Sequence, residues 1–345
     1  MGTQHRITTQ MDLLDNKGHL IEPGYATKLL WNYDRTKIKA GWHRIKEWDY
    51  YYILNEDYGI TFTMSDLGYA GMHAVAWLDF QNNTTTQVDT LSILPKGKTN
   101  FPSTSTSGNV SFKDKKIDIS FEVHDNTRII KISCPNFENK RGEKGLKGEL
   151  RLLQEPEMDT MVIATSWKDK PKKFYYNQKI NCMRAEGTVT IGDHDYKFSP
   201  DSSFAGLDWG RGNWTYKNRW YWGSASGELN GELFGWNIGY GFSDRSPASE
   251  NMIFYKGKAH KLDEVTFEID TTDYMKPWRF TSNDGRFELN FTPAVDRYSK
   301  TNLWLIVSEQ HQTFGHFSGH VILDDGTKLE IKDFLGFAED VLNYW

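Results

Sequence analysis

The sequence predicts an all-β protein built from two antiparallel sheets, each closed or sandwiched, with a short helix at the C-terminus. Three observations predict it. Apolar residues recur with period two, two-residue turn signals separate the runs, and neither strand–helix alternation nor a glycine-rich phosphate loop is present.

The period-two runs recur along the chain. Ile117, Ile119, Phe121 and Val123 alternate with Asp118, Ser120, Glu122 and His124. Val265, Phe267 and Ile269 alternate with Thr266, Glu268 and Asp270; Phe287, Leu289 and Phe291 with Arg286, Glu288 and Asn290; Leu329 and Ile331 with Lys328, Glu330 and Lys332. Each reads as a strand with one face buried. Asn230-Gly231, Asp284-Gly285 and Asp325-Gly326 read as type I′ hairpin turns, whose two central residues both take positive φ, and Gly192-Asp193 suits the II′ form. The Ser/Thr-rich segment Asn100–Gly108, NFPSTSTSG, is a polar loop with strands resuming on either side. Helix signals are few. Asp333 is placed to cap a helix reaching Tyr344 that carries Phe334, Phe337, Ala338, Val341 and Leu342. Asp12–Leu14 and Pro171–Tyr176 are one-turn candidates. A polar stretch over Asp195–Gly206 is the expected boundary, giving one domain over 1–200 and another over 201–345.

Composition narrows the function. The 345 residues are 38% hydrophobic and 25% charged, with a net charge of −5. No basic face or run points to nucleic acid, and no apolar run is long enough to span a bilayer. The first 25 residues carry Arg6, Asp12, Asp15 and Glu22 and no apolar run, so neither a signal peptide nor export is expected and the location reads as cytoplasmic. Cys134 and Cys182 form no C-x-x-C pair and read as small buried hydrophobes. His316 and His320 would stand about 13 Å apart in a regular strand, too far for one metal. No nucleophile elbow accompanies a Ser–His–Asp set. Neither a metal nor any other cofactor is expected.

Aromatic residues reach 14%, and four of the 13 tryptophans fall within GLDWGRGNWTYKNRWYWGSASG, Gly206 to Gly227. Such a stretch is either the seam of a core or the floor of a pocket. Strand alternation puts Trp220, Trp222 and Ser224 on one face, with Arg219, Tyr221 and Gly223 on the other. Asp208–Gly212, with glycines flanking Arg211, reads as a loop whose backbone approaches something closely, with Asp208 and Arg211 on either side of Trp209. Upstream, Glu47 and Asp49 share one strand face and Trp48 takes the other. Asp66, Tyr69 and His73 make a looser polar group.

These residues carry a resemblance. G-L-D-W-G-R-G-x-W-x-Y-x-x-R-W-Y-W resembles the central signature of the bacterial domain-of-unknown-function family 2804. R-I-K-E-W-D-Y-Y (Arg44–Tyr51), D-L-G-Y-A-G (Asp66–Gly71), F-G-H-F-S-G (Phe314–Gly319) and D-D-G-T-K-L-E-I-K-D-F-L-G-F-A-E (Asp324–Glu339) support it. More remotely, W-G followed about ten residues later by W-x-W is similar to the tandem lipocalin-like superfamily, which includes carotenoid 1,2-hydratases and fungal cyclisation enzymes. That resemblance implies two packed calycin-type β-barrels with an apolar ligand in a barrel or at their junction. The hydratases place an acid and a histidine just before W-G; here Asp208 precedes Trp209, but Leu207 stands where the histidine would be, which departs from carotenoid-type hydration.

The leading expectation is a cofactor-independent intracellular enzyme of hydratase, isomerase or cyclase type. It acts on an apolar small molecule, with an Asp/Arg pair for charge. Asp208, Arg211 and Glu47 are the expected catalytic groups. Trp209, Trp214, Trp220, Trp222, Arg219, Trp48, Asp66, Tyr69 and His73 are the expected binding residues. Two alternatives stand beside it: a lipid or isoprenoid carrier without turnover, and a carbohydrate-active or carbohydrate-binding protein with an aromatic cleft. The sequence leaves open whether Asp208 and Arg211 pair, and the oligomeric state.

Overall fold

The alternating strands assemble two large, curled antiparallel sheets in a computed structural model that describes residues 4–303 and 306–344. The first sheet runs from Thr84–Ile93 through Ala70–Asp79, Tyr58–Asp66, Ile45–Leu54, Phe204–Asn213, Lys170–Ile191, Lys144–Leu153, Thr127–Glu138 and Asp118–His124 to Gly108–Lys113. Its two ends meet. Thr90 Oγ1 donates to Asp114 Oδ2 at 2.7 Å, and His73 stacks on Phe112 with ring centroids 3.6 Å apart. The second sheet runs from Lys258–Lys261 through Met252–Tyr255, Glu232–Tyr240, Lys217–Leu229, Lys328–Tyr344, Ile306–Ile322, Phe287–Leu303 and Trp278–Ser282 to Val265–Glu268.

Each sheet curls round its own core, the first around residues such as Phe62, Phe121, Leu150 and Trp209, the second around Trp236, Trp278, Phe291 and Phe317. A third cluster, with Tyr50, Tyr52, Leu78, Trp222, Phe314 and Phe337, joins the two half-barrels. Among the described residues, no helix is long and apolar enough to cross a membrane.

The expected C-terminal helix is a strand. Lys328–Tyr344 pairs with both Ile306–Ile322 and Lys217–Leu229. Its apolar residues fall three and four apart because both faces are buried: Leu335 and Phe337 pack at the junction, while Ala338 packs into the second core. Burial on both faces erases the period of two that would have marked a strand. Asp333 caps no helix but takes a φ of 49° where the ladder to Ile306–Ile322 shifts register. Asp12 and Pro171–Tyr176 also lie in strands, and the helical residues described are two 3₁₀ turns, Arg35–Lys37 and Trp42–Arg44. Of the Asx-Gly turns, Asn230-Gly231 alone has positive φ at both residues; at Asp284-Gly285 and Asp325-Gly326 the glycine alone does.

The largest departure concerns Asp208–Gly212. It is no loop. Phe204–Asn213 is a regular strand, paired residue by residue with Ile45–Leu54 and along most of its length with Lys170–Ile191, and every one of its residues is buried. Its glycines do mark close approach: a Cβ at Gly210 would lie 2.0 Å from the Trp48 ring, and one at Gly206 2.4 Å from the Tyr52 ring. The strand belongs to the first sheet although it follows residue 200. The chain changes sheets between Asn213 and Lys217, and we propose that the domain division falls there.

Gly210→Ala should therefore lower stability by about 1–3 kcal/mol or more, since indole and backbone must separate in a packed core. Urea denaturation checks it, and a wild-type midpoint would mean Trp48 has room to move.

Candidate active site at the junction of the two sheets

Strand alternation sorts the aromatic stretch onto two sides of the first sheet. On Phe204–Asn213, Asp208 faces the junction, whereas Trp209 and Arg211 point into the first barrel. Asp208 and Arg211 therefore do not pair. Asp208 is bound by Lys179, Nζ to Oδ2 2.8 Å, and accepts from Asn177 Nδ2 at 2.6 Å. Arg211 NH1 binds Asp49 Oδ1 at 2.9 Å.

The second sheet supplies the rest of the junction. Trp220 and Trp222 project from Lys217–Leu229, and Lys179 Nζ lies 3.6 Å from the centroid of Trp222. Trp222 Nε1 donates to Asn237 Oδ1 at 2.7 Å, and Asn237 Nδ2 reaches Glu250 Oε2 at 3.4 Å. Trp220 Nε1 donates to Glu339 Oε1 at 2.9 Å. Gln312 Nε2 donates to Glu339 Oε2 at 3.0 Å and is itself positioned by the Tyr50 hydroxyl, which donates to its Oε1 at 3.0 Å. Three buried carboxyl groups, Asp208, Glu250 and Glu339, thus lie within the field of one lysine.

Burial acts on the protonation of the two glutamates. It pushes the Glu339 carboxyl up to about 7, against the lowering influence of the Trp220 N–H, Lys179 and Arg297. Burial also raises Glu250, opposed by Lys179 and reinforced by Asp208. Beside these groups stands an aromatic wall. Trp214 contacts Trp48, Trp167, Tyr175, Trp220 and Phe242 at centroid distances of 4.7–5.9 Å. Trp48, Trp167 and Trp220 are only half-buried. Beside Trp167 opens a cleft of about 780 Å³, lined also by Thr215, Ser243, Ser249 and charged residues including Lys170 and Asp244. Its size is that of a small-molecule site.

The other expected residues go elsewhere. Glu47 accepts from Tyr33 Oη at 2.8 Å and Arg35 Nε at 2.9 Å inside the first barrel. Trp209 packs edge-on to Tyr176 there, under the Arg211 guanidinium. Arg219 lies on the opposite face from Trp220 and pairs with Asp340. Asp66 clamps a loop, accepting from the backbone of Gly68 and Gly97 and from Thr99 Oγ1. The Tyr69 ring lies 4.3 Å from Lys46 Nζ. His73 is buried and its pKa is lowered to about 4 by desolvation, which keeps the imidazole neutral on Phe112. Cys134 and Cys182 are buried free thiols pushed up to about 12 by desolvation. Among the described residues, no group of three or more His, Cys, Asp or Glu is placed to hold a metal.

Sequence reasoning missed Lys179, Asn177, Asn237, Glu250 and Glu339. Four of them stand as polar residues inside largely apolar strands, as in FYYNQKI and GFAEDV, while Glu250 lies just before Met252–Tyr255. The helix expected over the C-terminal segment rests on Phe334, Phe337, Ala338, Val341 and Leu342, and Glu339 between them carries no expectation.

The chain belongs to the family described as Domain of unknown function (DUF2804), whose model matches residues 4–345. Among solved structures it is similar to a provisionally named AttH from Nitrosomonas europaea, with a TM-score of 0.53, 11% identity, and coverage of 86% of this chain and 92% of that one. It is also similar to kievitone hydratase from Nectria haematococca, with a TM-score of 0.47, 13% identity, and coverage of 87% and 88%. At these identities the likeness is one of fold. No curated protein matches the sequence.

Two measurements test the junction. Glu339 holds a proton in the folded state up to about pH 7, whereas its ordinary value is 4.5. The resulting stabilisation is complete below the unfolded value and is lost as pH rises through about 7. Between about pH 5 and 8 the wild type should lose about 2–3 kcal/mol more stability than Glu339→Gln. Parallel pH profiles would place the group near its ordinary value. Lys179→Met should cost about 3–5 kcal/mol by stranding Asp208 in the interior, and adding Asp208→Asn should recover part of that loss. A double variant no more stable than the single would mean the two are not paired.

Proposed function

We propose that this member of the DUF2804 family is a cofactor-independent acid–base enzyme of hydratase, isomerase or cyclase type, acting on a hydrophobic small molecule at the junction of the two sheets. The observation that carries the reading is the juxtaposition of a buried carboxyl held near neutrality, Glu339, with an ion-paired carboxylate, Asp208, among indole faces. Two carboxyl groups whose surroundings set them apart are the arrangement that divides acid from base.

In this reading Glu339 donates its proton to an unsaturated carbon of the substrate. The developing cation lies against the faces of Trp220 and Trp222, whose quadrupoles stabilise positive charge. Asp208, held by Lys179 and Asn177, accepts the balancing proton. Taken from the adjacent carbon, that proton completes an isomerisation; taken from an attacking water, it completes a hydration. Gln312 and Asn237 fix the acid and the indole, and positioning of this kind contributes much of the rate in such sites. The proposed way in runs from the cleft past Trp167 and Trp214, whose rings connect it to Trp220. The Asp/Arg pair expected from the sequence is replaced by Asp208–Lys179.

The test begins with protein purified from an unmodified lysate, whose co-purifying apolar compounds are extracted and identified. Each is incubated with the enzyme in D₂O. Wild type should introduce deuterium at carbon or add water. Glu339→Gln and Asp208→Asn should lower that rate by about 10²–10⁴-fold while still quenching tryptophan fluorescence on binding. Trp222→Ala should weaken binding itself. A compound that binds and returns unchanged from wild type would make the protein a carrier.

A further inference from the structure

The charged residues that the junction does not use form a second group on the opposite face of Phe204–Asn213, inside the first barrel. Arg211 is fully buried. Besides Asp49, its NH1 donates to Trp48 O at 2.8 Å and Gly210 O at 2.9 Å, and its NH2 to Pro102 O at 3.1 Å. Its Nε makes no hydrogen bond and has Glu47 Oε1 at 4.0 Å, an oxygen already engaged by Tyr33.

Arg128 is the more unusual of the two. It is 1% exposed, and among the described residues no carboxylate lies within ion-pair distance of it. Its NH1 donates to Gln154 Oε1 at 3.1 Å and lies 3.7 Å from Met183 Sδ, its NH2 donates to Ser105 O at 3.1 Å, and its Nε has no partner. The Tyr51 hydroxyl lies within the field of Arg128, Arg211 and Asp49 alike, and Arg128 itself feels Asp49 only at a distance. A buried arginine with no carboxylate in contact is costly, and a carbonyl dipole is a weaker partner than a carboxylate.

Both arginines reach the same loop, the Ser/Thr-rich Asn100–Gly108. It supplies Pro102 O to one and Ser105 O to the other, and it lays the buried Phe101 ring 4.9 Å from the Arg211 guanidinium. Ser105 Oγ also hydrogen-bonds Gln178. An aromatic ring with two acceptor oxygens, each bound by a different buried guanidinium group, has the chemistry of an aryl carboxylate. We propose that the first barrel is a second binding site, for an apolar carboxylate. The loop Asn100–Gly108 acts as a displaceable internal stand-in, with Phe101 for the ring and the two carbonyls for the carboxylate. A bound carboxylate supplies the charge that Arg128 lacks and accepts its orphaned N–H, while the released carbonyls turn to water. This site is separate from the junction and holds whether or not the junction is catalytic.

The experiment uses the full chain and sodium benzoate as probe, with sodium chloride at matched ionic strength and benzyl alcohol as controls. Benzoate alone should raise Tm in proportion to the logarithm of its concentration, and it should speed proteolytic cleavage within 100–108 as the loop withdraws. Arg128→Gln should abolish the rise. Phe101→Ala, which weakens the internal competitor and leaves the arginines intact, should bind benzoate at least fivefold more tightly. Should Arg128→Gln not fold, Phe101→Ala and the proteolysis decide. Benzoate no better than chloride, a loop equally resistant with and without it, or benzoate affinity unchanged or reduced in Phe101→Ala would overturn the proposal.

Discussion

One strand, Phe204–Asn213, is paired on both edges and buried on both faces, and the rest of the molecule is arranged around that constraint. A central strand of this kind cannot carry bulk everywhere. Gly206, Gly210 and Gly212 leave room for Tyr52, Trp48 and Trp214, which lie directly over its backbone. Four residues after it ends, Lys217–Leu229 begins, itself central in the second sheet. The two strands thus give each sheet an interior member, and the aromatic side chains between them seal the junction. The tryptophan-rich stretch is a seam in the core, and its Trp214 and half-buried Trp220 reach toward Trp167, which lines a cleft.

The same strand separates two electrostatic environments. On its junction face, three carboxyl groups lie near one lysine, and desolvation keeps Glu339 protonated. On its barrel face, Arg211 sits between two carboxylates, whereas among the described residues none lies within ion-pair distance of Arg128. Buried ion pairs add little net stability against apolar residues of the same size. Neither group is therefore something the fold needs in order to form. Charged groups nevertheless stand on both faces of this wholly buried strand.

Much of the fold was legible in the residues. Strands with one solvated face, such as Asp118–His124 and Val265–Glu268, announce themselves because water on one side and core on the other enforce alternation. Asn230-Gly231 marks its hairpin because few residue pairs accept positive φ twice. The strands that build the junction were the illegible ones. Lys328–Tyr344 and Phe204–Asn213 are buried on both sides for much of their length, so their patterns read as a helix and as a loop.

The sequence by itself determined the all-β class, the face assignments within strands that keep one face toward water, and the gathering of aromatic and charged side chains near Asp208. Those follow from local chemistry: period, turn residues and alternation. Only the tertiary structure decided which charges meet. Asp208 and Arg211 are three residues apart, yet a strand turns them to opposite faces. Asp208 and Lys179 are 29 residues apart, yet adjacent strands bring them to 2.8 Å. Glu339 comes from a strand near the far end of the chain to accept from Trp220. Pairing across strands is set by sheet order and register, and burial, which fixes the protonation of Glu339, depends on how two sheets pack. Neither quantity is a property of any stretch of sequence alone.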